Sequence, residues 1–247
     1  MTCVSVVLPT YNEREGIGSI LEDLLSAIRA QGLRPELLVV DDQSPDGTAD
    51  EVVRRFADEP AVRVHRRRDR GLAGAIRAGT ELATGDVIVL MDTDGNHDPR
   101  QVPALVARLQ DADIVVGSRY ARGGDMPTSR FRYWCSLVFT RWASVVLGLK
   151  VADCLSGFLC FRRELLSGMN RDEVFRGYGD YAIRLLYWAR LQRLRLVEVP
   201  TVYGLRRGGL SKTSFASVLY QYSRTVIHLR WSGGRAADAR SVVDEQL

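Results

Sequence analysis

The sequence contains no uninterrupted run of about 18 uncharged apolar residues, the length that a membrane-spanning helix needs. The nearest stretch, Tyr133 to Leu149, is broken by Arg141. A charged leader followed by a long apolar segment is also missing. Met1-Thr2-Cys3 runs directly into a short apolar stretch, Val4–Leu8, that stops at Pro9, so no secretory signal is expected. Cysteine is scarce: Cys3, Cys135, Cys154 and Cys160 show no close paired spacing. A disulfide framework or a zinc site is not expected from such a set, and reduced, packed thiols of a cytoplasmic protein are. There is no internal repeat, and no linker that would divide the chain.

What remains is an ordinary globular composition, 46% hydrophobic and 26% charged over 247 residues. That length suits a single α/β domain with a large core. The net charge of +4 suits a surface that meets phosphate, whether on nucleotides, anionic lipids or nucleic acid, and does not choose among them.

In the first half, short β-rich runs alternate with helical patterns. Strands are expected at Val4–Leu8, Glu36–Asp41, Val62–His65, Val87–Met91 and Ile114–Gly117, and helices at Glu15–Ala30, Thr48–Ala57, Gly71–Ala83 and Pro99–Leu109. Such alternation builds a largely parallel sheet covered on both faces, which binds ligands beyond the carboxyl ends of its strands. The second half is expected to hold a helical pair over 126–150, a strand or irregular segment over Val151–Phe161, a helix at Asp180–Leu191, and a strand at Arg195–Tyr203 containing Pro200. An amphipathic helix is expected at Thr213–Trp231, then a tail over 232–247.

The chemically unusual residues follow the strands. Asp92 and Asp94, one residue apart behind Val87–Met91, could share a hard divalent cation with substrate phosphates; a solvated acidic loop is the plain alternative. Asn96 could add an oxygen ligand, whereas His97 reads as a loop or packing histidine, because magnesium and manganese prefer oxygen. Asp41 and Asp42 close the second strand, where Asp41 could accept from a base or ribose and Asp42 could serve a metal or sugar. Ser44-Pro45-Asp46-Gly47 is also a good turn, with Asp46 or Thr48 as a helix cap. Tyr11 could stack on a base and Glu13 could hydrogen-bond. Gly71 opens a helix whose amides could face an anion, although close helix–sheet packing explains it as well.

Together these segments resemble glycosyltransferase family 2, and within it the dolichol-phosphate mannosyltransferase group. The matches run in order: LPTYNE (8–13), DDQSPDGT (41–48), GLAGAIRAG (71–79), MDTDGNHDP (91–99), GSRYARGG (117–124), LSGF (155–158), VEVP (197–200) and RRGGLSK (206–212). The resemblance implies a GT-A type, Rossmann-like fold. That fold is a mixed, mostly parallel sheet with helices on both faces, in one domain over 1–231 with an amphipathic C-terminal helix. Residues 1–120 would bind the nucleotide sugar and 121–231 the acceptor. Pro9, Tyr11, Glu13, Val40 and Asp41 would surround the nucleotide, together with Asp42 and Asp92. Asp92, Asp94 and Asn96 would hold Mg²⁺ or Mn²⁺. Arg119, Arg132, Arg206 and Lys212 would meet donor or acceptor phosphates, as guanidinium forks and an ammonium point charge can.

By resemblance alone the donor is GDP-mannose first, with UDP-glucose and UDP-GlcNAc open, and the acceptor is a polyprenyl phosphate. Transfer would invert the anomeric carbon. The alternative is a soluble hydroxyl acceptor with Asp180 as general base, against which stands a helix N-cap role for Asp180. Two departures bear on the acceptor side. Gly177-Tyr178-Gly179-Asp180-Tyr181 lacks the family's Gln and Glu, and Leu159 stands where an Arg is usual. The aromatic and basic mixtures of 130–150 and 213–231 suit an interfacial helix or an ordinary packed one. An enzyme peripheral at the cytoplasmic face of a membrane is the expected setting. A nucleic-acid module, prompted by Arg63, Arg66, Arg67, Arg68 and Arg70, lacks interleaved aromatics; a solvated basic loop is expected there, and no nucleic-acid partner.

Overall fold

A computed structural model of the chain describes residues 1–126, 130–204 and 215–241. Among the described residues, seven strands form one sheet in the order β3-β2-β1-β4-β6-β5-β7. They are β1 (Cys3–Thr10), β2 (Arg34–Asp41), β3 (Val62–Arg66), β4 (Val87–Leu90), β5 (Ile114–Ser118), β6 (Leu159–Arg162) and β7 (Leu196–Pro200). Only β6 runs against its neighbours; β4 and β5 flank it, each antiparallel to it.

β1 is buried along its whole length, as its near-continuous apolar sequence requires of a central strand in a parallel sheet. Its side chains divide by the period of two. Val4, Val6 and Leu8 meet Ile17, Leu21, Leu24 and Ile28 of helix α1 (Arg14–Ala30) and Val102 and Leu105 of α4 (Val102–Ala107). Val7, with Leu38 and Val40 of β2, meets Ala73 and Ile76 of α3 (Leu72–Leu82). The short α2 (Thr48–Arg55) follows β2, and α6 (Arg171–Val174) precedes α7 (Tyr181–Leu191). α5 (Arg130–Leu147) and α7 continue that second layer, and α8 (Phe215–Ser241) packs on both through Phe139, Tyr222 and Val226.

Three expectations change. Among the described residues of 126–150 there is one helix and not a pair, because nothing between Arg130 and Leu147 breaks it. Gly148, at φ +64°, ends it with left-handed closure. The Pro99–Leu109 helix is wound tighter at both ends, with 3₁₀ turns at Pro99–Gln101 and Arg108–Gln110 around α4; Asp98 accepts from the Arg100 amide at the first. α8 carries helical backbone to Ser241, past Gly233-Gly234 where a tail was expected, through a stretch rich in alanine, the strongest helix former. Residues 242–247 lie outside the described residues.

Candidate active site

Because β1–β3 run out to one side and β4 lies on the other, the crossover direction reverses between β1 and β4. Their carboxyl ends form the crevice where such sheets take ligands. Antiparallel β6 starts at the same edge, so the 155–158 segment enters the crevice from the side opposite β1.

Two turns build the β1–β2 side. The buried Asp41 carboxylate accepts from the Ser44 amide (2.9 Å), the Ser44 hydroxyl (2.5 Å) and the Thr10 hydroxyl (3.3 Å). Ser44 Oγ in turn accepts from the Asn12 amide at 3.0 Å, with Asn12 and Gln43 both at positive φ. Asp46 accepts from the Thr48 and Arg14 amides, and Thr48 Oγ1 from the Glu13 amide. Asp41 is therefore part of the turn and not only its neighbour. Tyr11 projects from this frame with the Arg70 guanidinium 4.8 Å from its ring centre.

Asp42 does not face open space as a sugar or metal ligand would. Its carboxylate pairs with Arg67 (2.7 Å) and accepts from the Gly71 amide (2.8 Å), pinning the loop that carries Arg70. The amide at the start of α3 thus already has an anion. Close helix–sheet packing does not account for Gly71, where a Cβ would meet nothing within 4 Å and the backbone stands at φ +142°. The close approach comes further along α3, where Gly79 packs directly on Val7 and Val40. That contact also puts the Val40 side chain in the core, so only its backbone reaches the crevice edge. The basic run is partnered within the chain as well: Arg63 with Glu36, Arg66 with Asp50, Arg67 with Asp42.

The acid pair sits on the loop leaving β4. Thr93, buried between the two aspartates, donates to the Pro9 carbonyl at 3.1 Å and ties this loop to the end of β1. Asn96 holds the Asp94 carboxylate with its amide N–H (3.1 Å) and its side-chain NH₂ (2.8 Å). The Asp92 amide donates to His97 Nδ1 at 3.0 Å. Gly157 faces the Asp92 carboxylate: a Cβ there would lie 3.4 Å from an Asp92 oxygen and 2.7 Å from the Tyr181 hydroxyl. Burial, together with the nearby Asp92 charge, raises the Tyr181 phenol well above its usual range, so it stays protonated.

Arg119 follows β5 and is buried against Asp153, which is fully enclosed. Two bonds of 2.7 Å join guanidinium and carboxylate, and the Arg119 amide adds a third at 3.0 Å. Its guanidinium lies 5.0 Å from the ring centre of Tyr203. His97 stacks on Phe158 and is fully buried, which lowers its pKa to about 4 and keeps the ring neutral.

Asp180 stands at the N-cap position of α7, yet its carboxylate makes no capping bond to that helix. It accepts instead from the Tyr178 amide (2.8 Å), Arg184 Nε (3.1 Å) and the Thr225 hydroxyl (2.8 Å), which joins α7 to α8. Arg132 lies on the exposed first turn of α5. Arg206 and Lys212 lie outside the described residues. Sequence reasoning missed Asp153, Tyr203 and Tyr181. The available signal was Asp153 itself, a carboxylate ending a stretch from 126 that has arginine, lysine and apolar residues but no acid; such a charge needs a partner.

Residues 5–169 match the family model described as Glycosyl transferase family 2. The chain belongs to that family. This glycosyltransferase is 38% identical over 245 residues to an undecaprenyl-phosphate mannosyltransferase of Micrococcus luteus, covering 94% of this chain and 98% of that one. It is 36% identical over 226 residues to a polyprenol monophosphomannose synthase of Mycolicibacterium smegmatis, covering 86% and 82%. Against a dolichol-phosphate mannosyltransferase of Pyrococcus furiosus it is 31% identical, over 93% of this chain but only 64% of the other. Among solved structures, glucosyl-3-phosphoglycerate synthase of Mycobacterium tuberculosis, crystallised with Mn²⁺, UDP and phosphoglyceric acid, superimposes with a TM-score of 0.66. The identity is 23%, over 94% of this chain and 78% of that one. The shared architecture is the GT-A type fold.

Proposed function

We propose that this glycosyltransferase moves mannose from GDP-mannose to the phosphate of a polyprenyl phosphate, by one displacement that inverts the anomeric carbon. One observation carries the reading: Asp92 and Asp94 sit at the mouth of β4, between the Tyr11–Glu13 turn on one side and Gly157 on the other. The named activities of the relatives, polyprenyl-phosphate mannosyl transfer in each case, supply the sugar and the acceptor class.

The donor set fits a hard divalent cation, Mg²⁺ or Mn²⁺. Two carboxylates and the Asn96 amide oxygen offer only oxygen ligands. Among the described residues, no cluster of three or more His, Cys, Asp or Glu forms a complete protein cage. A pair of carboxylates completed by substrate phosphates and water is the usual arrangement for Mg²⁺. When bound, the cation would neutralise charge on the departing diphosphate.

Tyr11 and the Asp41 turn would seat the base and ribose. Arg119, and by resemblance Arg132, Arg206 and Lys212, would orient phosphates. An oxygen of the acceptor phosphate attacks the anomeric carbon, and the bond to the nucleotide diphosphate breaks with its electron pair leaving on the diphosphate. A phosphate monoester, with its second pKa about 6, is already an anion near neutral pH and needs no base. Its positioning then supplies most of the rate. A hydroxyl acceptor would need a base, and Asp180 is held by Arg184 and Thr225.

The acceptor's lipid places the enzyme at a membrane surface, and no helix among the described residues is long and apolar enough to cross one. α5 offers the contact. Phe131, Trp134, Val138, Trp142 and Val145 are exposed at spacings of three and four, a single stripe along the helix. Between Met126 and Ala152 there are three arginines and a lysine and no acid. On α8, exposed Tyr220, Ile227 and Trp231 alternate with Arg224 in the same way. Apolar residues flanked by cations alone suit an anionic lipid surface.

The test incubates the purified protein with labelled GDP-mannose, Mn²⁺ and a short polyprenyl phosphate. Label should enter the organic phase, and Asp94→Ala should lower that transfer at least a hundredfold with an unchanged melting midpoint. Label on soluble alcohols instead, or full turnover by Asp94→Ala, would overturn the reading.

A further inference from the structure

Behind the acid pair runs a chain of buried hydrogen bonds whose donors all point one way. The Asp92 amide donates to His97 Nδ1 at 3.0 Å, so that nitrogen carries no proton and Nε2 carries one. Nε2 lies 3.0 Å from the Tyr203 hydroxyl and donates to it. Tyr203 Oη, its acceptor side taken, donates to Ser156 Oγ at 3.2 Å, and Ser156 donates to the Gly117 carbonyl at 2.5 Å. Only one tautomer of His97 and one orientation of each hydroxyl satisfy all four bonds. The chain starts at the acid loop beyond β4, crosses the exit of β7 and the segment before β6, and ends two residues before Arg119 on β5.

The same residues make further contacts. The Tyr203 ring covers the Arg119 guanidinium at 5.0 Å and meets the His97 ring edge-on at 4.9 Å. The next amide, of Gly204, donates to the Asn96 carbonyl at 2.8 Å, on the residue that holds Asp94. A packing histidine would need no such series of partners. The stacking of His97 on Phe158 already fills its space, and a leucine or methionine would fill it without leaving two buried ring nitrogens to satisfy.

We infer that His97 and Tyr203 are positioning residues, which hold the Asp92–Asp94 loop in fixed register with Arg119 and the Ser156-Gly157 segment so that acid pair and cationic group meet one diphosphate. This rests on the reading that the acid pair serves a cation and a nucleotide diphosphate. A shift of about 1 Å in such a loop is enough to cost large factors in rate or affinity.

The variants separate register from mere packing. His97→Ala removes both ring nitrogens. His97→Asn restores, through Oδ1, an acceptor for the Asp92 amide at the position of Nδ1. Tyr203→Phe keeps the ring over Arg119 and cuts the chain at its centre. Calorimetric titration with GDP, or UDP if the unmodified protein prefers it, is run with and without Mn²⁺ beside a melting curve for each variant. His97→Ala should weaken Mn²⁺-dependent binding about tenfold, and His97→Asn should regain most of it. Tyr203→Phe should lose severalfold while melting as a folded protein. Equal, unmodified affinity in all three, or an Asn variant no better than Ala, would overturn the inference. Should His97→Ala fail to fold, the Tyr203→Phe affinity decides alone, a value equal to the unmodified protein's counting against it. Asp94→Ala is the control: Mn²⁺-dependent binding that survives there, or is absent from the unmodified protein, overturns the metal reading and the inference with it.

Discussion

Each oxygen of the Asp153 carboxylate accepts from Arg119, and the pair lies inside the protein beside the crevice. A buried ion pair is costly to break from one side, because the remaining charge has neither water nor a partner. Asp153→Ala should destabilise the fold by about 3–5 kcal/mol, measured by urea unfolding; a loss under about 1 kcal/mol would mean that water reaches Arg119. The sequence marks Asp153 as an acid in need of a partner but does not name Arg119, because the two stand 34 residues apart. Separations of 25 and 29 residues likewise hide the commitments of Asp42 to Arg67 and Gly71. Asp180 is different, since its Arg184 lies one helical turn away and was readable as an i,i+4 pair. Asp92 and Asp94 were legible because their context is local: a four-residue apolar strand, then two carboxylates.

Among the elements, those of the first half could be read to within a few residues, since buried strands and amphipathic helices differ in period. β6 could not be placed, because four residues carry too little pattern and its antiparallel direction comes from the route of the chain. α5 shows how a face stays undecided in sequence: its aromatics suit an interface or a core equally until the fold shows which side is covered. With Phe139, Ala143 and Leu147 buried, the opposite stripe is left to solvent. Trp134→Ser with Val138→Ser should leave the melting midpoint within about 2 °C, since neither side chain is in the core. The same double variant should reduce flotation with vesicles of anionic phospholipid by at least half, and added salt should weaken flotation of the unmodified protein. Undiminished flotation of the variant would exclude this stripe.

For the whole molecule, acid should be the destabilising direction. His97 has an ordinary value of 6.5 and is held at about 4 in the fold, principally by burial. The unfolded chain therefore takes up a proton over that interval while the native protein does not. The contribution is complete above about pH 6.5 and declines as pH falls toward 4, by up to about 3 kcal/mol. Glu36 adds loss further down. Burial raises its carboxyl, but Ser5, Thr84 and Arg63 together outweigh that and hold it below 4.5, so its share goes as pH falls through the lowered value. Urea midpoints at pH 7 and pH 5 measure the first effect, and His97→Asn should flatten the difference; an equal slope in the variant would assign the acid sensitivity elsewhere.

The reversed strand also limits how this enzyme can be recombined. β5 precedes β6 in the chain but has no ladder with β4; the two are joined only by β6, which arrives after α5. A cut near residue 120 would strip β4 of its outer neighbour and leave β5 without either of its own, exposing strand edges that invite aggregation. Acceptor preference in this chain is therefore not a downstream cassette that can be swapped between relatives. A workable chimera has to carry 114–118 together with 153–204 as one graft.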